Sequence, residues 1–77
     1  MTNVVRRPDG VPRAGQLVFV SPAAGVYGMG SAWWHVVTAE PALTAGMCYL
    51  TAGPIDGDGC ARTFFCRTDG LLVRDVG

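Results

Sequence analysis

The sequence predicts an all-β fold: one small domain of five short strands, with an extended N-terminal arm and at most one short helical turn. Three observations predict it. Apolar, β-branched and aromatic residues fall in short runs that alternate with period two rather than at helical spacing. Eleven glycines and five prolines punctuate 77 residues, so every element must be short. The chain is 49% hydrophobic and only 16% charged, a balance that favours compact packing over disorder.

Residues 1–15 mix Arg6, Arg7 and Arg13 with Pro8, Gly10, Pro12 and Gly15 and show no apolar periodicity. This is the pattern of a flexible basic arm, which places the folded body at residues 16–77. Gln16 to Val20 is a short apolar run suited to a buried strand, and Ser21-Pro22 ends it. Pro22 to Ser31 is rich in Pro, Ala and Gly and reads as a long loop packed by Val26, Tyr27 and Met29.

Ala32 to Thr38 alternates as the second strand, and Glu40-Pro41 is expected to break it. Pro41 suits the first position of a short helical turn through Ala45, with Gly46 at its left-handed end. Met47 to Ala52 is the third strand and Cys60 to Thr68 its antiparallel return. The turn cluster Pro54 to Gly59 joins them; a turn centred on Gly57 sets Cys48 opposite Cys66, Leu50 opposite Phe64 and Ala52 opposite Arg62. Thr68-Asp69-Gly70 redirects the chain into a fifth strand, Leu71 to Val76.

Five short strands, a long first loop, a central hairpin and a tight last connection resemble the layout of the SH3-like small barrels. The resemblance covers residues 16–76 and lies in the order and spacing of elements, so it implies an architecture and no inherited site. The oligonucleotide/oligosaccharide-binding barrel fits less well. It needs a real helix between strands three and four, whereas the helical candidate here lies one strand earlier.

Charge and composition narrow the function. All six basic residues are Arg, a usage typical of a GC-rich bacterial or phage genome. Residues 1–15 carry a net +2, from Arg6, Arg7 and Arg13 against Asp9, and the rest carries −2. A slightly acidic body argues against nucleic acid as the main ligand, which remains the alternative through the arm arginines. With no long apolar stretch and no signal-like N-terminus, a cytoplasmic chain with no membrane role is expected.

No catalytic or metal motif is completed. Cys48, Cys60, Cys66 and His35 are zinc-competent, but Cys60 and Cys66 on one strand lie roughly 20 Å apart and no Cys-x-x-Cys occurs. Asp56-Gly-Asp58-Gly opens like a calcium loop, yet Cys60, Ala61 and Arg67 stand where its later oxygen ligand, Gly and Glu belong. Gly25 to Gly30 precedes no helix that would aim amides at phosphate. His35 is the only histidine, and nothing in the sequence places Cys48, Cys66, Ser31 or Asp75 beside it. The expectation is therefore no catalytic residue, no cofactor and no metal. A Cys48–Cys66 disulfide is geometrically sensible, but a reducing compartment opposes it.

The aromatic pairs Trp33-Trp34 and Phe64-Phe65 carry the functional reading. Neighbours on a strand face opposite ways, so one ring of each pair leaves the core. If Arg67 faces solvent, Phe65 goes with it and Phe64 and Cys66 turn inward; likewise Trp34 and Val36 are placed inward, Trp33 and His35 outward. Trp33, Phe65, Tyr27, His35 and Arg67 then form an expected interface for another protein or for a second copy of the chain, an aromatic and Arg composition typical of binding hot spots.

Overall fold

The computed structural model describes residues 5–28, 30–55 and 59–75. Five antiparallel strands form one sheet: β1 (Leu17–Val20), β2 (Ala32–Pro41), β3 (Met47–Pro54), β4 (Arg62–Arg67) and β5 (Leu72–Arg74). Their order is β4-β3-β2-β1-β5. The mainly-β expectation holds, but the closed barrel is not seen. Among the described residues no ladder joins β4 to β5, and β5 has three residues, which already pair with β1.

Two 3₁₀ turns stand in place of the expected helical turn after Pro41. The first, Pro22–Ala24, follows β1: Ser21 caps it by accepting from the Ala23 amide at 3.3 Å, Pro22 supplies a preset φ, and Gly25 closes it at φ 84°. The second, Thr68–Gly70, joins β4 to β5 and packs against the first. At Pro41 the chain stays extended. A residue before proline is held out of the helical region, so Glu40 continues β2, and Pro41 pairs with Cys48 at the strand end. The connection to β3 is a turn, with the Ala42 amide donating to the Met47 carbonyl at 3.0 Å and Gly46 at φ 79°.

A bulge between Val36 and Thr38 resets the alternation of β2, putting Val37 and Thr38 both on the outside and letting Ala39 pack on the core. The register of the β3–β4 hairpin is the one the turn chemistry predicts: Cys48 opposite Cys66, Leu50 opposite Phe64, Ala52 opposite Arg62. Asp56, Gly57 and Asp58, on which the turn and calcium-loop readings fell, lie outside the described residues, as does Met29.

One face of the sheet carries the core: Val18 and Val20 of β1, Val36 of β2, Cys48, Leu50 and Ala52 of β3, Phe64 and Cys66 of β4, and Val73 of β5, with Ala24, Val26 and Leu71 from the connections. Trp34 packs on this set and meets the Phe64 ring edge-on at 5.2 Å.

Residues 5–15 of the segment read as an arm run along the sheet. Arg6 exchanges both backbone hydrogen bonds with Val73, at 3.0 and 2.7 Å, which covers part of the outer edge of β5. Val11 packs against the core, Pro12 is buried, and the Gly15 amide donates to the Val36 carbonyl at 3.0 Å. Side chains add a polar clamp: Gln16 Nε2 donates to Asp75 at 2.6 Å and the Arg6 guanidinium to the same carboxylate at 3.1 Å.

Hydrogen bonds from Gln16 and then Arg6 hold the Asp75 carboxyl below the ordinary aspartate range. A carboxyl more acidic folded than unfolded adds stability above its unfolded value, about 3.9, and loses it as pH falls through the folded value. Asp75→Asn is therefore expected to lower the thermal midpoint at neutral pH, with the gap to wild type closing below about pH 4. A gap that persists unchanged into strong acid would rule out this clamp.

Candidate functional site

The outer face is set by the same alternation that fills the core. Across β1, β2 and β5 the register places Leu72, Phe19 and Trp33 in one row. Phe19 and Trp33 rings lie 5.2 Å apart, and the Arg74 guanidinium sits 5.5 Å from the Trp33 ring. These side chains are half-buried by one another. Trp33 does face outward, as period two requires, but Phe19 and Arg74 supply part of its cover.

At the other end of the face, Glu40 of β2, Tyr49 of β3 and Phe65 of β4 form a second row. Tyr49 and Phe65 rings meet at 5.1 Å, and each residue keeps about half its surface exposed, 47% and 48%. The adjacent row on the hairpin pairs Met47 with exposed Arg67. On the opposite flank the Thr51 and Thr63 hydroxyls hydrogen-bond at 3.0 Å, fixing the two strands beneath the rings.

The five expected interface residues therefore divide. Phe65 and Arg67 come together on β4, the edge strand, and Tyr49 completes their patch. Trp33 and His35 lie on β2 in the rows nearer β1, with exposed His35 opposite Leu17 and Gly53. Tyr27, 74% exposed, stands in the loop after the first 3₁₀ turn. Sequence reasoning passed over Tyr49, although its signal was present: the register that pairs Cys48 with Cys66 also pairs Tyr49 with Phe65. It passed over Phe19 as well, the cross-strand partner of Trp33.

The arm arginines are not equivalent. Arg6 is held by Asp75 at 3.1 Å and lies 3.9 Å from Asp9, so its charge is locally matched, whereas Arg7 and Arg13 are exposed. His35 and the thiols of Cys48 and Cys66 are on opposite faces of the sheet, which keeps them from acting as a nucleophilic pair. Among the described residues no three His, Cys, Asp or Glu side chains converge to hold a metal ion, and no helix is long and apolar enough to cross a membrane.

Comparison with protein-family models, with curated proteins and with solved structures finds no match to this chain.

Proposed function

We propose that this chain is a small non-enzymatic interaction module that binds another protein, or a second copy of itself, through the Tyr49–Phe65 end of the outer sheet face. The observation that carries the reading is the half-exposed ring pair on the edge hairpin, with Arg67 beside it. A tilted ring pair with an arginine beside it matches the composition of binding hot spots, and two paired strands hold the rings without the entropy cost of ordering a loop. Trp33, already covered in part by Phe19 and Arg74, plays the lesser role; His35 and Tyr27 sit at the margins.

An SH3-like layout is part of the same proposal. The strand order β4-β3-β2-β1-β5, the long connection after β1 and the 3₁₀ turn before β5 fit such a module. An accessory, inhibitor or assembly protein acting in the cytoplasm is the corresponding role. Binding of nucleic acid through the arm is the weaker alternative, because Arg6 is engaged by Asp75.

The test is affinity capture from source-cell extract combined with light scattering, comparing wild type, Phe65→Glu and Trp33→Ala. Wild type should capture a defined protein or self-associate; Phe65→Glu should lose at least tenfold in that binding while staying folded, and Trp33→Ala should lose less. Identical mass and identical captured proteins for wild type and Phe65→Glu would refute the reading.

A further inference from the structure

The β3–β4 hairpin carries a second cluster on the face opposite the rings. Cys48 and Cys66 are direct cross-strand partners, both fully buried, with Sγ atoms 3.9 Å apart. The interaction reading uses neither. The backbone fixes their spacing: the Thr68 amide donates to the Gly46 carbonyl at 2.9 Å, the mark of a hydrogen-bonded pair. Such pairs recur every second residue, so Cys48 and Cys66 form another, with Cα atoms about 5.5 Å apart. Disulfides span Cα separations of about 4.4–6.8 Å, so side-chain rotation can close the bond with the strands in place.

We propose that Cys48 and Cys66 form a reversible oxidation site, at which a small hydroperoxide converts the dithiol to a disulfide that ties edge strand β4 to β3. The Cys48 sulfur attacks a peroxide oxygen and the O–O bond breaks, leaving a sulfenic acid on Cys48 and, with hydrogen peroxide, releasing one water. The Cys66 sulfur then attacks the Cys48 sulfur, the S–S bond forms, the S–O bond breaks and a second water leaves. Two thiols lose two electrons in all, and one peroxide becomes two waters. A thiol reductant reverses the bond by exchange.

Two features favour this order. The two thiols share a hydrogen bond that either can donate, which favours one thiolate beside one thiol, and the Thr68 side chain favours the ionised sulfur at Cys48 against the effect of burial. Among the described residues the outer edge of β4 joins no further strand, so local opening of this strand admits a molecule as small as hydrogen peroxide. Cys60, exposed outside the pair, is not needed. The inference depends on the hairpin register and not on the interaction reading.

The test uses the full chain carrying Cys60→Ser, treated with hydrogen peroxide and mapped by intact mass and non-reducing peptide digestion. The expected result is a loss of about 2 Da, a cross-linked Cys48–Cys66 peptide and a rise in thermal midpoint on the order of 10 °C, all reversed by dithiothreitol. With Cys66→Ser added, which keeps a hydrogen-bond donor beside Cys48 but cannot form the disulfide, oxidation should stop at a Cys48 sulfenic acid that a 1,3-diketone traps. Oxygen addition to either cysteine of the folded Cys60→Ser protein without the cross-link would overturn the proposal. So would a pair that oxidises only after denaturation.

Discussion

Phe64→Ala is expected to destabilise the fold by about 3–5 kcal/mol, and Phe65→Ala by less than about 1 kcal/mol, although the two residues are adjacent and chemically identical. Phe64 is 7% exposed, opposite Leu50, with the Trp34 ring against it, so truncation opens a cavity among side chains that cannot all collapse into it. Phe65 projects from the other face and loses only its contact with Tyr49. For a domain of this size each kcal/mol moves the thermal midpoint by about 4–8 °C, so Phe64→Ala should be largely unfolded near 40 °C where Phe65→Ala is not. Denaturant melts of the two variants, run together, check the alternation on which the whole outer-face assignment depends. Similar costs for both would mean that β4 does not present Phe64 and Phe65 to different sides.

Gly70→Ala is the second large effect, and its cause is backbone rather than side-chain packing. A Cβ at Gly70 would fall on the Ala23 carbonyl oxygen and lie 2.7 Å from the Ala24 Cα. Those atoms belong to the first 3₁₀ turn, which Ser21, Pro22 and Gly25 hold in place, and no rotamer change can relieve the overlap. The two 3₁₀ turns must separate, which loosens the end of the sheet where Ala24 and Leu71 are buried. A cost of about 3 kcal/mol is expected, typical of overpacking that the surroundings cannot absorb. Gly53→Ala is the control, because a Cβ there meets nothing within 4 Å. Equal melting points for the two variants would show that the turns are not packed as described.

The alternation of aromatic pairs and the hairpin register were legible in the sequence because both are local. Period two decides which of Phe64 and Phe65 turns inward once Arg67 is given to solvent, and a short turn between two apolar runs leaves few registers. What escaped prediction depends on distant partners or on small local irregularities. Residues 5–15 show no periodicity of their own, and their placement follows from distant partners: the outer edge of β5 at Val73 for Arg6, the core for Val11 and the Val36 carbonyl for Gly15. β2 runs on to Pro41 because the bulge at Val37 resets its faces, and no residue type there announces a bulge. Closure of a barrel is likewise a property of how far strands coil, which five short apolar runs do not encode. For the candidate site, Phe65 and Arg67 could be placed by alternation alone. Tyr49 needed the cross-strand register carried one pair further, and the covering of Trp33 by Phe19 needed the pairing of β1 with β2.

Amide hydrogen exchange of the associated state against the free chain tests the interaction face most directly, whether the associate is a captured protein or a second copy. New protection is predicted on β4 and around Tyr49, with the β1–β5 end of the sheet unchanged. Protection confined to the Trp33 end or to residues 5–15, with β4 exchanging as in the free chain, would contradict the account.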